Sequence, residues 1–295
     1  MKKTAIYLLF VLFAIPLVTE AKVWRVNNNP AVTADFNSLI DAMNAYGSGD
    51  TIHLEPSATP YTVLNNTFTN HSNNVTIIGN GYFHFPNDSF QQDILQSIIS
   101  VQVPGTDIFL NGHFKFIGVT FNNNVVLSQL SGQIFIYGMS FESCLINGDI
   151  SYFNNGGYSD EIDQVHFSKN YISGGFNITI ASSYAYSYLN DFSFENNIIN
   201  NLFKIDIGAA LHNQIVIRNN VFLGGYTCAN GYLANNIFYN ASTPDPSALT
   251  GSILKNNIFA ASVFTTGATL EVNNQFGVDM NTVFSNNPCV FRQGL

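Results

Sequence analysis

Charge is what this chain has least of. Asp, Glu, Lys and Arg together make up 10% of its 295 residues, far below the quarter usual in globular proteins. Lys and Arg number 10 against 19 Asp and Glu, for a net charge of −9. Neutralising phosphates needs clustered Lys and Arg, so a nucleic-acid partner is not expected. Cysteine occurs three times, as Cys144, Cys228 and Cys289. An odd number rules out a fully paired disulfide framework. One pair or three buried free thiols remain open. Past the N-terminus, no apolar run is long enough to span a bilayer.

Hydrophobic residues, by contrast, make up 46% of the chain, with 26 Phe against a single Trp. Asn and Ser carry much of the polarity. Such a chain buries much apolar surface and must satisfy its backbone with side-chain amides. The N-terminus reads as a secretory signal peptide: Lys2 and Lys3, then the apolar run Ala5 to Val18, then Thr19-Glu20-Ala21 with small residues at both inspected positions. Cleavage is expected after Ala21, so residues 1–21 are assigned to the signal. The run is too short for an anchor, and no Cys follows it to carry lipid. Export to the periplasm, cell surface or medium is the expectation, and the exported chain would carry a charge of −10.

An internal repeat organises the rest. Four segments align without gaps: Phe192-Ser-Phe-Glu-Asn-Asn-Ile-Ile199, Ile215-Val-Ile-Arg-Asn-Asn-Val-Phe222, Gly231-Tyr-Leu-Ala-Asn-Asn-Ile-Phe238 and Ser252-Ile-Leu-Lys-Asn-Asn-Ile-Phe259. Weaker copies end at Phe121, Phe141 and Ile172. An earlier one covers Val75–Tyr82, and a later one, Leu270–Phe276, reads as slipped by one residue. From Phe121 to Phe259 the steps are 20, 31, 27, 23, 16 and 21 residues. Within each copy the period-two alternation predicts a strand. The Asn-Asn pair predicts a sharp bend, because Asn tolerates left-handed backbone angles. Stacking such coils would place Asn170, Asn197, Asn220, Asn236 and Asn257 in one hydrogen-bonded column. Phe121, Phe141, Phe222, Phe238 and Phe259 would form a second, with Ile172 and Ile199 substituting. Glu195, Arg218 and Lys255 would share an outward column, where a surface salt bridge between Glu195 and Arg218 is expected.

The rung also fits the leucine-rich pattern, since Ile215-x-Ile217-x-x-Asn220-x-Phe222 matches it position by position. That architecture needs a near-constant period and a further upstream Leu. Here the upstream positions are Leu189, His212 and Cys228, and a 16-residue step is too short for a strand plus its return. The expectation is therefore an all-β, single-stranded parallel β-helix. Residues 22–50 read as its N-terminal cap, with a strand at Val23–Val26 and an amphipathic helix from Ala34 to Tyr46. That helix has Phe36, Leu39, Ile40 and Met43 on one face and Asp35 near its start. Residues 51–280 read as the solenoid and 281–295 as an irregular tail. No second amphipathic helix closes the last coil, so end-to-end self-association is a possibility that the sequence raises.

The order helix, Gly-Asp50-Thr51-Ile52, Pro, Val75-Thr-Ile-Ile-Gly79 and then Asn-Asn rungs resembles the pectin-lyase-like right-handed parallel β-helix proteins, in particular secreted bacterial members without assigned activity. The resemblance covers residues 22 to about 280 and implies fold more than activity. In this superfamily, hydrolases would need clustered Asp residues with Gly-His-Gly and Arg-x-Lys. Asp107, Asp149, Asp206 and His113 are scattered, and Asn111-Gly-His113 lacks the second Gly. Lyases would need a calcium-binding acidic group and a basic residue. Arg218 is the only Arg in the repeats, and its alignment with Glu195 reads as a salt bridge.

Two further features carry candidate chemistry. Asp160-Glu161-Ile-Asp163 after Gly156-Gly157 is an oxygen-rich stretch of the kind that can hold calcium. It lies in the longest step and is expected to project from the solenoid. Tyr184, Tyr186 and Tyr188 alternate, so on a strand they would face one side and could stack on sugar rings. The two loops, 147–163 and 182–190, lie in successive steps and could flank one patch. No residue is assigned a catalytic role and no cofactor is required beyond that possible calcium. The functional expectation is an exported, non-catalytic β-helix with a glycan-binding, adhesive or structural role and a polysaccharide or cell-surface glycan as partner. The alternative is a lyase or hydrolase acting on acidic polysaccharide.

Overall fold

The computed structural model describes residues 21–63, 67–81, 96–101, 103, 105–128, 135–153, 161–180, 188–207, 211–239, 249–260 and 268–280. They form a parallel β-solenoid of about seven turns. Every strand-to-strand pairing is parallel: a sixteen-stranded sheet wraps two sides and a nine-stranded sheet forms the third. The strand Ile108–Ile117 shows how one sheet turns a corner. Its first part, Ile108–Leu110, pairs with Val125–Leu127, and its end, Lys115–Ile117, pairs with Ser140–Glu142. The single helix among the described residues precedes the repeats. Returns within each turn are strands, such as Leu145–Ile146 and Ile150–Phe153, so a leucine-rich architecture is excluded.

The Asn-Asn bend works through a division of labour. The first position takes the left-handed conformation: Asn196, Asn219, Asn235, Asn256 and Asn273 all have φ between 53° and 57°. The second is buried and builds the ladder. Asn170, Asn197, Asn220, Asn236 and Asn257 each pass one Nδ2 hydrogen bond to the next Oδ1, at 2.9, 3.2, 3.0, 3.1 and 3.1 Å, ending on Asn274. Each Nδ2 also donates to the carbonyl of a sheet residue one turn back, such as Phe194 at 2.7 Å for Asn220. Each backbone N–H of the column donates to the next amide oxygen. Every donor and acceptor of these buried amides is thereby used, which is what burial of a polar group requires.

The register corrects the sequence reading in three places. Phe141 does not stack in the Phe121 column. It pairs with Phe116 and Phe167 in the preceding strand column, and Ile146 takes the place beside Phe121. The true copy is Met139-Ser-Phe-Glu-Ser-Cys-Leu-Ile146, with Ser143 and Cys144 where later turns carry Asn-Asn. Ser143 adopts φ 53°, and the Cys144 N–H donates to Asn170 Oδ1 at 2.8 Å. Phe121 to Ile146 and Ile146 to Ile172 thus become nearly equal steps. The last rung is not slipped either. Leu270–Val272 pairs with Ile253–Lys255, and Phe276 stacks on Phe259 at 4.9 Å. It looked slipped because Glu271 occupies the register where Leu254 is buried one turn earlier.

The core is a stack of aromatic rings on the two inner columns. Phe116, Phe141 and Phe167 stack at 5.3 and 4.7 Å, and Phe222, Phe238, Phe259 and Phe276 stack at 4.9, 4.6 and 4.9 Å with interplanar angles under 10°. Cys144 and Cys228 are free and buried, so no bond joins them. Burial pushes both thiols up to about 12, which keeps them protonated and inert. Cys289 lies outside the described residues.

The first turn is held by one carboxylate. Asp50, buried at the Gly-Asp-Thr-Ile entry, accepts from the Lys22 N–H, the Gly47 N–H and Trp24 Nε1, all at 2.8 Å. The helix spans Leu39–Ala45 rather than 34–46, because Ser38 caps it by accepting from Ile40 and Asp41. Asp35 accepts instead from the Arg25 N–H at 2.8 Å, and Phe36 bridges to Val26. The hydrogen bonds from Lys22, Gly47 and Trp24 hold the Asp50 carboxyl below its usual range. A depressed carboxylate stabilises fully above its unfolded value of about 3.9 and loses that contribution as pH falls through the folded value. Trp24 is the only Trp. Its emission in an acid titration is expected to change in a step below pH 4, and Asp50→Asn should abolish the step and loosen the first turn.

Candidate functional site

The signal peptide, Asp160, Tyr184 and Tyr186 lie outside the described residues. Glu161, Asp163 and Tyr188 lie within them, but not on projecting loops. Glu161 and Asp163 stand on the strand Glu161–Ser168, and Tyr188 opens the strand Tyr188–Glu195. The loop expectation for Glu161 and Asp163 rested on the 31-residue step, which the corrected register removes.

These strands share a second left-handed corner that the sequence reading missed. Gly138, Gln164, Asp191 and Gln214 have φ of 68°, 54°, 43° and 57°. Each sits five residues before the left-handed residue of the Asn bend, at Ser143, Lys169, Asn196 and Asn219. The regular offset was a signal present in the sequence. At this corner Ile162 and Val165 both point inward and are fully buried, so Asp163 and Gln164 both face out. Gly138 has a further reason to be glycine, because a Cβ there would lie 2.8 Å from His113 Nδ1. The space admits the His113 ring, which packs edge-on to Tyr137 at 5.1 Å.

Parallel pairing then lines up outward residues from successive turns. Tyr137, Asp163 and Asn190 share one register, as do Glu161 and Tyr188. Tyr137 is exposed. Asn190 Nδ2 donates to Asp163 Oδ1 at 2.8 Å. The Tyr188 hydroxyl interacts with the Glu161 carboxylate, whose Oε2 is buried with no hydrogen-bond partner among the described residues. Desolvation raises the Glu161 carboxyl above its usual range. Desolvation first, and the neighbouring Glu161 second, push the Tyr188 hydroxyl up to about 12. Past the corner, His166 Nδ1 lies 2.8 Å from Ser193 Oγ, and His166 Nε2 lies 3.9 Å from Asp191 Oδ2.

The acidic stretch and the last tyrosine of the row, expected to flank one patch, meet on neighbouring strands, where Glu161 pairs in register with Tyr188. No group of three His, Cys, Asp or Glu residues with metal-binding geometry occurs among the described residues. Glu195 and Arg218 form the expected ion pair at 2.8 Å, and Lys255 lies in the same column two turns on. No helix among the described residues is long and apolar enough to cross a membrane. No protein-family model matches the chain, and no curated protein matches it.

Proposed function

We propose that the chain is an exported, non-catalytic β-helix of the pectin-lyase-like kind that binds glycan on the outer face of this corner. The observation that carries the reading is the column Tyr137, Asp163 and Asn190, with Glu161 and Tyr188 beside it. An exposed aromatic ring offers a face for a sugar ring to stack on. Carboxylates and a side-chain amide at strand spacing, roughly 4.8 Å apart, offer acceptors and donors for hydroxyls. The rigid solenoid fixes these groups before binding, which lowers the ordering cost. Glu161, Asp163 and Asp191 make the patch acidic, so a neutral glycan fits it better than a uronate polymer. Calcium bridging at Glu161 and Asp163 would widen the choice to acidic chains.

A second reading, acid–base hydrolysis of the bound glycan, is favoured by one observation. Glu161, with its raised carboxyl, stands two residues from Asp163 on the same outward side. Glycoside hydrolysis uses such a pair of carboxyl groups.

A glycan array probed with and without calcium tests the binding reading. Wild-type protein should bind a defined set of neutral glycans. Tyr137→Ala should weaken binding by about tenfold, in keeping with loss of one stacking contact, and Asp163→Asn should reduce it further without loss of β-sheet signal. Binding that survives both substitutions would move the site elsewhere.

A further inference from the structure

The outer face of the same sheet changes character toward its C-terminal end. Val216, Tyr232, Ile253 and Leu270 occupy one register position in four consecutive turns. They form a straight apolar ridge, with Tyr232 and Ile253 each 38% exposed and Leu270 51% exposed. Scattered surface hydrophobics need no explanation, but a contiguous line of them marks an interaction surface. Two residues further along each strand runs a second column, Glu195, Arg218, Ala234 and Lys255. It begins with a carboxylate and ends with a cation. Arg218 is occupied by Glu195 at 2.8 Å, and Lys255 makes no ion pair among the described residues.

We infer that this face pairs with the same face of a second copy, the two solenoids running antiparallel about a two-fold axis that lies along the strands, between the turns of Arg218 and Ala234. Such an axis reverses the order of turns and keeps each column opposite itself. Val216 then meets Tyr232 of the second copy, and Ser193 meets Ile253. Arg218 meets Ala234, and Glu195 meets Lys255, so two symmetry-related ion pairs form. The two ridges meet at Val216 and Tyr232, while Ile253 lies against Ser193 and Leu270 against His166 of the second copy. This is the self-complementarity that a two-fold interface demands. Tyr137, Asp163 and Asn190 lie beyond the left-handed corner from the ridge, so the glycan patch stays open in the dimer.

Sedimentation velocity on the purified exported chain, from micromolar to millimolar concentration at low salt, tests the pairing. The wild type should pass from monomer to dimer, and Ile253→Asp should stay monomeric. Lys255→Glu and Glu195→Lys should each raise the dissociation constant by about tenfold or more, since each removes both exposed ion pairs. An equimolar mixture of these two variants should dimerise at least as well as wild type, because both cross-pairs then join opposite charges. Circular dichroism confirms that each variant is folded. A wild type that is monomeric throughout, a dimer unmoved by Ile253→Asp, or a mixture no stronger than its separate components would overturn the pairing.

Discussion

Asn220→Ala is expected to destabilise the solenoid by about 4 kcal/mol or more, an unusually large effect for one polar side chain. Its amide serves four buried groups at once. It accepts from the Asn197 N–H at 2.8 Å and from Asn197 Nδ2 at 3.2 Å, and it donates to Phe194 O at 2.7 Å and Asn236 Oδ1 at 3.0 Å. Alanine removes a bond from each of the four: the Asn197 N–H loses its partner in the ladder, while Asn197 Nδ2 keeps only Phe167 O and Asn236 Oδ1 keeps only the Asn220 N–H. Each buried group left unsatisfied costs about 1–3 kcal/mol, and each further lost bond about 0.5–1.5 kcal/mol. Its neighbour Asn219 is exposed and left-handed, with φ 57°. Glycine adopts that angle freely, so Asn219→Gly should change stability by no more than about 0.5 kcal/mol. Urea unfolding followed by far-ultraviolet circular dichroism separates the two. Hydrogen exchange should show the loss of protection centred on residues 215–222 and the turns either side.

Phe238→Ala is expected to cost about 3–5 kcal/mol, the range for a large side chain removed from a packed core. The ring lies between Phe222 at 4.9 Å and Phe259 at 4.6 Å, with Tyr226 4.2 Å away, and it is 1% exposed. Neighbouring turns are held at strand spacing by the ladder on one side and the sheets on the other, so the cavity cannot collapse. Phe238→Leu should recover more than half of the loss. Because each turn contacts only its neighbours, the cavity should lower the protection of the turns at Phe222 and Phe259 and leave the Asp50 entry unchanged.

How much of this was legible depends on what marks a turn. Where Asn-Asn is present, from Asn196 to Asn257, the register, the ladder and the outward column of Glu195, Arg218 and Lys255 all followed from spacing. Where the pair is replaced, alignment failed. Gly118-Val119 and Ser143-Cys144 carry out the same bend, Ser143 with a left-handed angle and Cys144 with only its backbone N–H in the ladder. Phe is an inner residue in two different columns, so without the amide marker Phe141 was assigned to the wrong one. Lys169 shows how far tertiary packing overrides local preference, since it holds φ 58° against the usual cost to a long side chain.

The site suffered more than the fold did. Its residues come together only through register across turns, as Glu161 meets Tyr188 and Asp163 meets Asn190. An error of one rung separates them. Tyr137 and His113 were missed because their contact depends on the absence of a Cβ at Gly138. His166, Ser193 and Asp191 were missed because the second corner carries Gly, Gln, Asp and Gln, which share a conformation and no chemical type.

The functional account turns on whether the corner holds a glycan without cutting it. The direct measurement is to incubate the purified protein with the neutral polymers it retains on an array and to follow bound fraction and chain length together. Saturable binding that Tyr137→Ala weakens is expected, with polymer length unchanged after prolonged incubation. Shortened chains whose appearance depends on Glu161 would contradict it in favour of hydrolysis, and absence of binding to any glycan would contradict both readings.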